Sequence, residues 1–438
     1  MKTKSKNNSF INNILTYLTG NVLSQFIPLI FSVIITRLYT PEEYGIYGTF
    51  FTIISLLIPI STLKYEQAIM LPKSKHDALI MFRAVVYILI IMTGFLFLLI
   101  IVFNNQYLEF ISFIFSNSEL SKEQLTTLSK WSYILPFFLF SAALIPVISL
   151  MLNRQQNYKL DAKARVGQAL VSNILQVLFG IIKIGEIGLL ISGFVSQLYY
   201  IFRTGFKRFR KYILSFWKLD KDFILQSKSL LKKYYQFPLI SLPNSILDMA
   251  RLHGVVLILT YYFGTAIVGQ YLLMNRIIRM PSTLVGVALS QVSYQKISEM
   301  YSNNERDIYP FLKRNTIYLI LIGIIPFGIL FFFGEDLFKF VFGNQWAHAG
   351  KYAEYLSPYM YSYFIVSTLG IVPIVYGKQL IAFLFSTLSN LAQIIIYIYG
   401  GIQNNIEFSL ISVSIVVPTI FIFYVLWIFR FTKKGVVQ

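Results

Sequence analysis

The stretch SILDMARLHGVVLILTYY, residues 245–262, carries Asp248, Arg251 and His253 among apolar neighbours. Asp248 and Arg251 stand one helical turn apart on one face. A second pair, Arg276 and Arg279, lies in the apolar run that follows. Together the three arginines and one aspartate carry a formal charge of +2. An arginine at the centre of a membrane helix costs about 2.5–3.5 kcal/mol on insertion scales, so it ordinarily faces a water-filled path or a partner. Two readings stay open for each pair. Asp248 and Arg251 either line such a path or lock their helix to a neighbour, and Arg276 and Arg279 either face the path or reach an interface by snorkelling. His253 either packs through a hydrogen bond or carries a proton.

Further polar groups could complete a site. Asn21, Ser24, Gln25 and Pro28 recur at helical spacing in the first apolar run, as path lining or as bonds to adjacent helices. Lys64 and Glu66 end the second run and are candidates for gating. Thr52 and Ser55 stand in the first half where Arg276 and Arg279 stand in the second. Three histidines lie far apart and cysteine is absent, so no metal-ligand spacing exists and neither a metal nor a cofactor is expected. No GxxxxGK[ST], HExxH or GxSxG occurs, and an enzyme is not expected.

The elements that must position these groups are membrane helices. Of 438 residues 56% are hydrophobic and 13% charged, against about 25% charged in soluble chains. The sequence predicts an all-α polytopic membrane protein. Twelve transmembrane helices are expected over 12–36, 43–63, 79–103, 131–152, 164–183, 187–204, 237–262, 266–294, 312–333, 353–376, 380–399 and 407–430. Of the 38 basic residues, 29 fall on one set of alternating loops and termini and six on the other. The positive-inside rule then puts both termini in the cytoplasm, and nucleic acid is not an expected partner. No small-residue cleavage site follows the first run, so no removable signal is read.

Residues 205–236 form the only long polar break. They divide an N-terminal six-helix lobe, 1–204, from a C-terminal one, 237–438. Phe223, Ile224, Leu230 and Leu231 among lysines suggest an amphipathic helix on the inner membrane face, with a solvated basic linker as the other reading. The halves align at an offset of 224 that matches Gly45 with Gly269 and Tyr47 with Tyr271. Repeated transporter halves hold their site between them. Pro238 and Pro243 are expected to bend the seventh helix. The aromatic side chains, 17% of the chain, read as lipid contact and interfacial belts more than as sugar stacking.

RLYTPEEYGIYGTFFTIISLLIPISTLKYEQAIMLP (37–72) resembles the N-terminal signature of Wzx-type O-antigen and polysaccharide flippases. KKYYQFPLISLPNSIL (232–247) resembles the start of the seventh helix in that family, and VGQYLLMNRIIRMPSTLVGVALSQVSYQKISE (268–299) its eighth. The family belongs to the superfamily of multidrug, oligosaccharidyl-lipid and polysaccharide exporters. The resemblance implies two six-helix lobes around a central cavity in the bacterial cytoplasmic membrane. It implies transfer of undecaprenyl-diphosphate-linked oligosaccharide from the cytoplasmic to the periplasmic leaflet by alternating access. Membrane lipids, a polysaccharide polymerase and glycosyltransferases are the implied partners. Arginine donates paired hydrogen bonds to phosphate oxygens, which suits a diphosphate and not a cationic drug. Substrate contact is thus expected at Arg251, Arg276, Arg279, Asp248, Asn21 and Gln25, with gating or proton-linked roles for His253, Lys64 and Glu66. The segment ARLHG (250–254) departs from the more neutral, often proline-bearing segment of the family. A multidrug/cation antiporter of the same fold and a non-transporting scaffold for polysaccharide assembly are the alternatives. The antiporter would carry a carboxylate in the first helix, and residues 12–36 contain no Asp or Glu.

Overall fold

The computed structural model describes residues 23–118, 133–216, 220–283, 293, 296–301, 303 and 308–433, with the backbone alone for 206–216 and 251. All regular elements among them are helical. They divide into two compact units, Met1–Leu257 and Ile258–Gln438.

The N-terminal unit begins with α1 (Leu23–Leu38) and α2 (Pro41–Thr62). The sequence TPEE sets the boundary between them. Thr40 accepts from the Glu43 backbone N–H at 3.3 Å and the Thr40 N–H donates to Glu43 Oε2 at 2.9 Å, a reciprocal capping box with Pro41 at the first helical position. A 3-10 turn, Tyr65–Met70, leads to α3 (Lys75–Val102), capped by Ser74, and to the short α4 (Asn104–Ile114). Then follow α5 (Leu135–Arg154), α6 (Tyr158–Ile181), α7 (Glu186–Phe216) and α8 (Lys221–Lys233). Helix α5 is central, packing on α2, α3, α6 and α7. Phe138 supplies its pivot, with Phe50 and Phe51 edge-on at 5.6 and 6.4 Å between ring centres.

The linker helix α8 is docked, not free. Phe223 and Ser227 are buried, Arg83 of α3 lies 4.1 Å over the Phe223 ring, and Tyr65 donates to the Leu231 carbonyl at 3.0 Å. Ile224 and Leu225 on its other face stay exposed. Helix α7 continues past the expected end at 204 to Phe216. Charged residues end an apolar run without ending a helix, and no proline stands between.

Helix α9 (Leu242–Ile278) is preceded by a π-turn, Phe237–Ser241, at Pro238. Proline offers no backbone N–H, and the widened turn takes up the missing bond. Within α9, Gly264 has φ 81° and ψ 177°, a conformation open to glycine, so two helices meet there. This is the break expected between the seventh and eighth spans.

In the C-terminal unit α10 (Ile308–Phe342) and α11 (Ala347–Leu369) pack most closely, followed after a single turn, Val372–Val375, by α12 (Gln379–Ile402) and α13 (Ile406–Lys433). Glycine allows the α10–α11 approach: a Cβ on Gly350 would stand 2.4 Å from the Gly334 carbonyl oxygen. Among the described residues nine stretches are long and apolar enough to cross a membrane. One of them, Leu252–Ile278, contains the Gly264 break. The chain is an all-helical multi-pass membrane protein.

Candidate functional site

In the C-terminal unit, the arm of α9 after Gly264 and the turns that directly follow it carry Tyr271, Asn275, Arg279 and Ser282. Their spacing of four, four and three puts them on one face. Gln270 fixes this arm. Its buried amide donates to the Gln345 carbonyl at 2.7 Å and accepts from the Ala349 N–H at 2.8 Å, satisfying one of the orphan donors at the start of α11.

Tyrosines surround the stripe. Tyr271, Tyr359 of α11 and Tyr397 of α12 are all buried, and Arg279 lies within electrostatic reach of all three phenols. Tyr271 and Tyr397 are in side-chain hydrogen-bond contact, with ring centres 6.3 Å apart. Tyr359 reaches Gln393 of α12 and stacks on Phe421 of α13, 6.3 Å between centres. These three phenols face inward, while many phenylalanines, Phe332, Phe340 and Phe383 among them, stay exposed. The phenols close a polar interior because a buried phenol needs a hydrogen-bond partner.

The stripe is undersatisfied. Arg279 Nε, Asn275 Oδ1 and Ser282 Oγ are buried without a hydrogen-bond partner. Among the described residues Arg279 makes no ion pair. Arg279 itself is half-buried, but a buried donor left without an acceptor is expensive, and a ligand carrying the missing acceptor would relieve it. Arg276, the companion expected beside it, is half-buried and has its own interactions.

The other expected residues lie in the N-terminal unit. Lys64 and Glu66 form an ion pair at 3.4 Å on the 3-10 turn, with Glu66 buried and its Oε2 unsatisfied. That turn packs against the π-turn before α9, so the pair sits at the bend expected from Pro238. Asp248 is exposed, His253 is half-buried, and both have interactions of their own. The Arg251 side chain and Asn21 lie outside the described residues. Gln25 is exposed on α1 and Ser24 half-buried.

One constellation escaped the sequence reading. Asp161 of α6 is fully buried and accepts from Arg165 Nε at 3.1 Å, from Ser149 Oγ of α5 at 3.1 Å and from the Tyr200 hydroxyl of α7. Arg165 also donates to Ser149 Oγ at 2.8 Å. The i,i+4 spacing of Asp161 and Arg165 was the available signal. It was hidden because both fall in a basic stretch, 154–165, that the charge pattern reads as loop.

The family described as "Polysaccharide biosynthesis protein" matches residues 34–351. No curated protein matches. Solved structures agree in fold over nearly the whole chain. An inward-closed lipid II flippase MurJ is 16% identical with a TM-score of 0.71, covering 96% of this chain and 90% of that one. An inward-facing multidrug resistance MATE family transporter of the MOP superfamily is 13% identical with a TM-score of 0.69, covering 97% and 99%. A Vibrio cholerae MATE transporter is 12% identical with a TM-score of 0.53, covering 99% and 98%.

Proposed function

Since this chain belongs to the polysaccharide biosynthesis protein family, we propose that it is a flippase for undecaprenyl-diphosphate-linked oligosaccharide. It would move its substrate from the cytoplasmic to the outer leaflet of the bacterial inner membrane during O-antigen or capsule assembly. Both termini would be cytoplasmic, in line with the charge bias of the loops. The observation that carries the reading is Arg279, a guanidinium of the C-terminal unit with a buried, unsatisfied Nε and, among the described residues, no carboxylate in ion-pair range.

A diphosphate supplies what this place lacks. Its oxygens accept the planar donors of Arg279, with Arg276 adding a second charge. The buried phenols keep bulk water from screening that attraction. Asp248, Arg251, His253, Asn21 and Gln25 are assigned to the substrate path, and Lys64 with Glu66 to gating at the bend before α9. Alternating access of the two lobes would carry the headgroup and glycan while the polyprenyl tail stays in lipid. A polymerase and glycosyltransferases would act on either side of this step.

A cation antiporter is disfavoured by the sign of the site, and a scaffold has no use for a half-buried arginine whose Nε is left without an acceptor. The test is surface glycan in a flippase-deficient bacterial host expressing variants whose membrane insertion is verified. Arg279→Glu should abolish glycan export and Arg279→Lys should reduce it in part, because lysine keeps the charge and loses the paired donors. Full export by inserted Arg279→Glu protein would refute the assignment.

A further inference from the structure

A groove in the N-terminal unit has no part in the mechanism above. It opens between the turn before α3 and the turn joining α5 to α6, with a volume of about 880 Å³. Its lining includes Lys73, Lys75 and Arg154 and no carboxylate, together with the amides of Asn153, Gln155 and Gln156. We propose that this groove binds the phosphate headgroup of an anionic glycerophospholipid.

Arg154 builds the groove instead of filling it. Its Nη1 donates to the carbonyls of Ile69 and Met70 at 3.2 and 2.8 Å, and its Nη2 to those of Pro72 and Ser74. The guanidinium thereby pins the 69–74 segment to the end of α5 and holds Lys73 at the rim. Lys75 is the first residue of α3, whose N-terminus adds a partial positive charge. Opposite, the end of α5 turns through Gln156 in the left-handed region, φ 55°, with the Asn157 N–H bonded to the Leu152 carbonyl at 2.9 Å. This turn presents the glutamine amides to the groove.

Size and surroundings favour a lipid over a soluble anion. A free phosphate would leave most of a space in the usual range for organic ligands, about 300–1,000 Å³, unfilled. Met70, Leu79 and Met151 give the lining an apolar part, and Leu71 beside it is 52% exposed. Lysines above such a surface suit a phosphate at the membrane interface, on the face that the charge bias assigns to the cytoplasm. Nothing in this inference depends on the transported substrate, because the groove shares no residue with the Arg279 stripe.

The test uses the full chain in neutral detergent, with thermal unfolding followed by tryptophan fluorescence. Phosphatidylglycerol should raise the midpoint saturably, while phosphatidylcholine and inorganic phosphate at equal concentration should not. Each of Lys73→Gln and Lys75→Gln should raise the half-saturating lipid concentration about fivefold, and the pair about 25-fold. Both lysines are exposed, so the variants should fold. Lys228→Gln, on the exposed side of α8, should leave the response unchanged. An equal effect of inorganic phosphate would identify a soluble anion and overturn the lipid assignment. A wild-type response from the double variant, or an equal loss in Lys228→Gln, would overturn the site.

Discussion

Removing the Asp161 carboxylate should show how much the N-terminal unit depends on its buried polar network. The carboxylate has no exposure and takes three donors, one of them the Arg165 guanidinium, whose side chain is 30% exposed. Asp161→Ala leaves that cation without its Asp161 counter-charge, still donating to Ser149 Oγ at 2.8 Å, and takes the carboxylate acceptor from the buried Tyr200 hydroxyl. Breaking a buried pair from one side costs about 3–5 kcal/mol, and the partial exposure of Arg165 argues for about 3. Asp161→Asn keeps the shape and one acceptor, so a loss of about 1.5–3 kcal/mol is expected. Combining Asp161→Leu with Arg165→Met removes both charges and should cost less than Asp161→Ala alone. Thermal unfolding in detergent should therefore rank the midpoints as wild type, double variant or Asp161→Asn, then Asp161→Ala. A double variant no more stable than Asp161→Ala would refute the idea that a stranded charge sets the cost.

Three positions, two inside helices and one at a helix cap, give further checks by the same method. Gly350→Ala should destabilise the C-terminal unit by about 1–3 kcal/mol or more, since its Cβ would meet Gly334 backbone, whereas Gly328→Ala, with open space around it, should be neutral or stabilising by up to about 1 kcal/mol. Thr40→Ala should cost about 1 kcal/mol by losing the capping box of α2, and Thr40→Ser should retain it.

The membrane helices were legible in the sequence because apolar length is a direct consequence of bilayer thickness. Their ends were less so. Charge marks where an apolar run leaves the lipid, but α7 continued to Phe216 and α6 began at Tyr158, because helix ends follow caps and breakers. Gly264 was such a breaker, and the expected gap between spans fell on it. Arg279 was legible as an arginine in an apolar run. Its surroundings were not, because Tyr359 and Tyr397 come from α11 and α12, far along the chain, and nothing local marks them as inward-facing. Asp161 was missed for the related reason that its partners Ser149 and Tyr200 lie on two other helices. Within 205–236, read as an amphipathic helix or a solvated basic linker, the structure forms α8 over Lys221–Lys233 and covers one of its faces with α3 and the 3-10 turn.

The central claim is that a phosphate-bearing lipid crosses the membrane by way of Arg279. Proteoliposomes holding the purified chain and a fluorescent undecaprenyl-diphosphate-linked sugar measure this, with an impermeant quencher reporting the fraction in the outer leaflet over time. Wild-type protein should accelerate transbilayer movement over protein-free vesicles. Arg279→Ala, reconstituted to the same density, should slow it at least about tenfold, the loss of one charge-assisted hydrogen bond of roughly 1.5 kcal/mol or more. Movement through Arg279→Ala protein at the wild-type rate would contradict the claim.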